Sequence, residues 1–177
     1  DDLTNGRSNP WEPNLDKAQT QVKFLTEHFH RAAFDGELAL MKHLAQLGAR
    51  LVPDERWGVG DGQYYTLICS VAEIGHADVI AYLLDTGAAQ IAPRTLEVAC
   101  RHGNPDVVKI LLDHGAKDGY KPGSALLASV QRENETVMRL LLGRDEFVDQ
   151  HQLCQALSVA EGEGLYSIAK VLKEYTN

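Results

Sequence analysis

The chain has 177 residues, 44% hydrophobic and 24% charged, with a formal net charge of −8 at pH 7. That length suits one well-buried core or one compact array of small units rather than two full domains. The acidic balance excludes a general nucleic-acid surface, whose affinity rests on cations that displace counterions from phosphates, and no apolar run is long enough for a membrane-spanning helix.

In chain order, residues 1–14 are polar and unpatterned and read as a tail, without the basic head and apolar run of a targeting segment. From Leu15, apolar residues recur at helical spacing (Leu15, Ala18, Val22, Leu25, Phe29), which predicts an amphipathic helix. Further on the chain repeats. Gly75 to Ala88, G-H-A-D-V-I-A-Y-L-L-D-T-G-A, aligns without a gap on Gly103 to Ala116, G-N-P-D-V-V-K-I-L-L-D-H-G-A. Gly36 to Ala49 is a third copy, and the stretches from Glu133 and Gly164 are degraded fourth and fifth copies.

Each unit reads as a pair of short helices. Val79, Ile80, Leu83 and Leu84 fall on one helical face, Gly87 can close that helix with positive φ, and Gly75 permits the tight turn before it. Thr66 stands where it would cap a first helix over Leu67 to Ile74. Two such helices cannot bury this much apolar surface alone, so the units must stack on one another, and the segment 15–26 is expected to cover the first end.

These stretches resemble the ankyrin repeat family, whose units run T-P-L-H-x-A-A-x-x-G, then V-V-x-x-L-L, then G-A. The resemblance covers Glu27 to Tyr175, although no unit keeps T-P-L-H intact: Thr66-Leu67-Ile68-Cys69 and Arg94-Thr95-Leu96-Glu97 are two of its stand-ins. It implies an all-α, ankyrin-repeat-like helical solenoid with an N-terminal capping helix, in a single domain. The repeats would span about 27–54, 66–92, 94–122, 124–150 and 155–177. Frame positions 36, 75, 103, 133 and 164 give intervals of 39, 28, 30 and 31, against a family period of about 33. The family places β-hairpin fingers between units. The junction 88–94 is too short for one, while the first junction is lengthened into a finger over 50–65.

That long finger holds R-W-G-V-G-D-G-Q-Y-Y-T, Arg56 to Thr66. Phosphate loops use glycine so that backbone N–H groups approach an anion at a helix N-terminus. Here no strand is expected before the glycines, the lysine of G-x-x-x-x-G-K-[ST] is missing, and Asp61 stands where the anion would sit. The glycines are read as making a reversal. Trp57, Tyr64 and Tyr65 would then either anchor a partner or pack on the first unit, since amphipathic aromatics suit both.

A second candidate is the pair of residues ending each first helix: Phe34-Asp35, Glu73-Ile74, Arg101-His102, Gln131-Arg132 and Gly162-Glu163. The resemblance implies that these positions face the groove that holds partners. Arg101, His102 and Arg132 would make a local cationic patch suited to an acidic partner segment; the bland alternative is solvated surface.

A third candidate is catalytic. The histidine position of T-P-L-H is filled by His30, Cys69, Glu97, Leu127 and Ser158, the residue types of nucleophilic catalysis. Packed helices lie about 8–10 Å apart, too far for a nucleophile and base that must meet at about 3 Å. No catalytic residue, cofactor or metal site is expected; His76, His102 and His114 sit in separate units without ligand spacing. The three cysteines, Cys69, Cys100 and Cys154, lack C-x-x-C spacing and read as reduced, individually buried thiols.

The expected function is protein–protein binding by a monomer or by part of a larger chain. Its expected setting is intracellular, in cytoplasm or nucleus; a secreted effector acting inside another cell would share these features. Two alternatives stay open: an enzyme or small-molecule binder with a pocket built on the groove, and a scaffolding or targeting segment of a longer protein.

Overall fold

The computed structural model describes residues 15–49, 57–59, 63–119, 121–144 and 148–176; for 15–18, 57–59 and 63–65 the description is of the backbone. The helices are α1 (Leu15–Phe34), α2 (Leu38–Gln46), α3 (Leu67–Ile74), α4 (Ala77–Asp85), α5 (Thr95–His102), α6 (Pro105–Asp113), α7 (Ser124–Gln131), α8 (Glu135–Leu142), α9 (Gln150–Gly162) and α10 (Tyr166–Glu174). Between α2 and α3 lie two short strands, β1 (Trp57–Val59) and β2 (Gln63–Tyr65). Each odd-numbered helix packs on the even-numbered one that follows it, and α1, α3, α5, α7 and α9 stack in that order. The result is an all-α helical solenoid, with first helices in one layer and second helices in another.

The apolar pattern of each second helix becomes the seam between the layers. Val107, Val108, Leu111 and Leu112 of α6 are buried, as are Val137, Met138, Leu141 and Leu142 of α8. First helices contribute Ile68, Val71, Leu96 and Leu126, so the core runs unbroken along the array. Burying one such side chain fully stabilises the fold by roughly 1.5–3 kcal/mol, which is why units too small to fold alone persist when stacked.

Adjacent units are also joined by a polar ladder at the turns between helices. His76 Nε2 donates to the Phe34 carbonyl at 3.0 Å, Asn104 Nδ2 to the Gly75 carbonyl at 3.0 Å, and Asn134 Nδ2 to the Gly103 carbonyl at 2.9 Å. The same asparagines cap the helices that follow them: Asn104 Oδ1 accepts from the backbone N–H of Asp106 and Val107, and Asn134 Oδ1 from that of Val137. This close approach requires glycine on the receiving side. A Cβ on Gly75 would lie 2.6 Å from Asn104 Nδ2, and one on Gly103 would lie 2.7 Å from Asn134 Nδ2. Both glycines are also left-handed, at φ +101° and +75°.

The last junction departs from this on both sides at once. Leu165 stands where the amide would be, and the frame residue behind it is Glu133, the one non-glycine with positive φ (52°) among the described residues. With no amide reaching across, a Cβ is tolerated there, and the backbone keeps its turn against the residue's own preference.

Four expectations are corrected. The capping segment is not a separate helix, because nothing between Leu15 and Phe34 breaks one; α1 runs through into the first unit. Its apolar face is sealed at Leu25 and Phe29, whereas Val22 is 40% exposed, since the 20-residue α1 outruns the nine-residue α2 beside it. Thr66 has extended N-cap backbone, yet its hydroxyl makes no capping bond and Oγ1 is buried with no partner among the described residues. Finally, α9 starts at Gln150, ahead of the expected Gln155, because Asp149 and Gln152 form a reciprocal capping box.

Loops between units are held by polar contacts. Residues 88–94 form no strand, as their length implied. The Asp118 carboxylate accepts from the Gly123 N–H, from Ser124 Oγ at 3.1 Å and from the Ala125 N–H at 3.0 Å, capping α7 from the preceding loop. At the C-terminal ends of the second helices, His114 Nε2 lies 3.0 Å from Asp85 Oδ1, and Arg144 pairs with Asp113.

Candidate functional site

The finger at the first junction is an antiparallel hairpin in which Trp57 pairs with Tyr65, Gly58 with Tyr64 and Val59 with Gln63. Gly60, Asp61 and Gly62 lie outside the described residues. The first glycine of the stretch, Gly58, lies within β1, which pairs with the strand that follows the glycines. A phosphate loop instead leads from a strand straight into a helix N-terminus, whereas α3 begins at Leu67, beyond β2. The backbone therefore brings Trp57 and Tyr65 together across the hairpin, with Tyr64 next in register.

The row of first-helix ends is solvent-facing at almost every position. Asp35, Glu73, Ile74, Arg101, His102, Gln131, Arg132 and Glu163 are exposed, and Phe34 is half-buried. The cationic patch is more compensated than its composition suggests. Arg101 Nη2 lies 2.5 Å from Glu97 Oε1 one turn back on α5, and His102 Nε2 lies 3.6 Å from Glu73 Oε1 of the preceding unit. Arg132 has no ion pair among the described residues. Exposed pairs of this kind stabilise a fold by about 0–1 kcal/mol, so their cations can exchange an internal carboxylate for a partner's at little cost.

Ile74 was placed in the row of groove-facing positions by its register, but it was not among the residues picked from that row as partner contacts. It follows the buried Val71 and Ala72 and the exposed Glu73 at the end of α3 and is 51% exposed, in the same register as His102 and Arg132. The signal was its register, one position before the frame glycine; its chemistry alone reads as core.

The third candidate set is not brought together. His30 and Cys69 are buried in different units, Glu97 is engaged by Arg101, and Ser158 is exposed. Cys69 Sγ meets the Thr95 hydroxyl at 3.1 Å, not an imidazole. Burial pushes the Cys100 thiol far above its ordinary value, with Asp118 and Glu97 adding to the shift, so it stays protonated and unreactive. Cys154 corrects the expectation of three buried thiols: it is exposed on α9, outside the surfaces that α9 buries against α7 and α10. Among the described residues no group of His, Cys, Asp and Glu is arranged to hold a metal ion.

Stacked helical pairs, each turned by a left-handed residue and joined at three of their four junctions by a polar ladder, define a helical-repeat solenoid protein. The chain belongs to the ankyrin repeat family: the family model described as ankyrin repeats, in three copies, matches residues 29–122. A search of the curated proteins returns no match. Ankyrin repeats are in general protein–protein interaction modules, and the family is in general non-enzymatic. No described helix is long and apolar enough to cross a membrane.

Proposed function

We propose that this domain binds a protein partner through the row of first-helix ends together with the β1–β2 finger. In this reading Trp57, Tyr64 and Tyr65 supply the apolar anchors, and Arg101, His102 and Arg132 receive an acidic stretch of the partner. The observation that carries it is the exposed row, in which Ile74, His102 and Arg132 occupy the same register in consecutive units while the equivalent faces of their helices are buried. Exposed side chains in fixed register on a rigid stack form a preorganised surface, which lowers the entropic cost of binding. The reading takes the units as one domain and, from the unpaired cysteines, an intracellular setting. No reaction is assigned to it.

The test is affinity capture from lysate with the intact domain beside Trp57→Ala/Tyr65→Ala and Arg132→Glu, the captured proteins identified by mass spectrometry. Loss of a shared set of proteins in both variants, at unchanged melting temperature, supports the reading. Capture of the same set by all three sinks it, and a collapse in melting temperature for the aromatic pair shows those residues to be core.

A further inference from the structure

Resting on that reading, we infer that the row takes an extended peptide segment in register with the repeats, with an apolar residue over Ile74 and a carboxylate about six residues away over Arg132. The positions one before each frame residue are Asp35, Ile74, His102, Arg132 and Glu163, at the ends of α1, α3, α5, α7 and α9, which pack in that order. Packed helices are about 8–10 Å apart and an extended chain rises about 3.3 Å per residue, so roughly three residues of a strand-like segment span one unit. Side chains alternate along such a segment. A residue and its neighbour three on face opposite ways, while residues about six apart, two units along, face the row together.

The row is built to that alternation. Ile74 and Arg132, two units apart, are the apolar and cationic positions without an internal partner: Ile74 is 51% exposed, and Arg132 has no ion pair among the described residues. His102 between them is 3.6 Å from Glu73, and Arg101 is held by Glu97. Asp35 at the near end is paired with Arg31 at 3.7 Å. At the far end the exposed Glu163 repels further negative charge, so the acidic part of the segment must stop at Arg132. A helical segment rises about 1.5 Å per residue and would need about thirteen residues between the same two contacts, which makes the two binding modes distinguishable by spacing alone.

The probe is a random linear-peptide library displayed on phage and panned on the wild-type domain, with Arg132→Glu and Ile74→Asp panned in parallel after their melting temperatures are shown to be unchanged. Expected are wild-type-selected peptides with an apolar and an acidic residue at a fixed separation of about six. A synthetic peptide of that pattern should lose roughly tenfold or more in affinity for either variant, and exchange of its acid for lysine should restore binding to Arg132→Glu. Selected peptides with a separation near thirteen, with no fixed separation, or with equal affinity for all three proteins overturn the inference, as does failure to select any peptide on wild type. If the selected peptides are instead lost on Trp57→Ala/Tyr65→Ala alone, this inference fails while the finger's part in partner binding stands. Lysate capture that is insensitive to both the row and the finger is the separate result that removes the wider reading.

Discussion

Asn104 donates from Nδ2 to the Gly75 carbonyl at 3.0 Å while its Oδ1 holds the first turn of α6, so one side chain both caps a helix and fastens it to the unit before. The Gly75 position can receive it because a Cβ there would lie 2.6 Å from that same nitrogen. Glycine in one unit and amide in the next are thus one device divided between two repeats.

Asn104→Ala should remove both functions and destabilise the fold by about 2 kcal/mol, combining a lost cap with a part-buried carbonyl left unpaired. Gly75→Ala should be destabilising too, and less so in the Asn104→Ala background, where the steric conflict is gone and the left-handed strain of about 1–2 kcal/mol remains. Urea denaturation of the four proteins measures the coupling. Simple additivity would show that the two residues act separately.

Glu133 holds a left-handed conformation at φ 52° with a Cβ present. Glu133→Gly should relieve that strain and stabilise the protein by about 0.5–1 kcal/mol after the extra freedom of the unfolded chain is counted. Leu165→Asn should be accommodated only when Glu133 is glycine, since the new amide would otherwise meet its Cβ as it would at Gly75. Thermal melts of the two singles and the double decide this; a stable Leu165→Asn single variant contradicts the steric account.

Both ring nitrogens of His114 face acceptors, Nδ1 the Ile110 carbonyl at 2.8 Å and Nε2 the Asp85 carboxylate at 3.0 Å, a pattern that suits imidazolium. The Ile110 carbonyl first, then Asp85, raises its pKa above the ordinary 6.5, with Asp113 adding to the shift. A raised folded-state pKa means the contribution is fully present below about 6.5 and is lost as pH rises through the folded value. Arg144, paired with Asp113 one unit on, keeps its charge across that range. Stability measured across the neutral range should therefore decline with rising pH by a small component that disappears in His114→Gln and in Asp85→Asn. Persistence of the slope in both variants assigns it elsewhere.

Thiol labelling gives the simplest check on burial. In the native protein Cys154 should react with an aromatic disulfide reagent within minutes, while Cys69 and Cys100 react only at the rate of unfolding, and all three should react in denaturant. Rapid native labelling of Cys69 or Cys100 would show that the stack opens locally around α3 or α5.

Much of this architecture was legible in the chain itself. The paired glycines bracketing V-I-A-Y-L-L and V-V-K-I-L-L define the unit, because helical spacing and the need for positive φ are local properties of a few residues. Stacking follows from them, since units so short and so apolar have nowhere else to bury their faces. The lengthened junction was equally visible by counting.

What required the tertiary structure is whatever depends on a residue far along the chain. Sequence placed Arg101 and His102 in a cationic patch, but only the fold sets His102 beside Glu73 of another unit, and only helix geometry sets Arg101 on Glu97. Register put Ile74 in the groove-facing row, but only the fold shows how far it is exposed, and Asn104 looks like an ordinary cap until its second hydrogen bond crosses to Gly75. Periodicity determines which face of each helix is buried; the stacking of one unit on the next decides which charges are already answered and which are left for a partner.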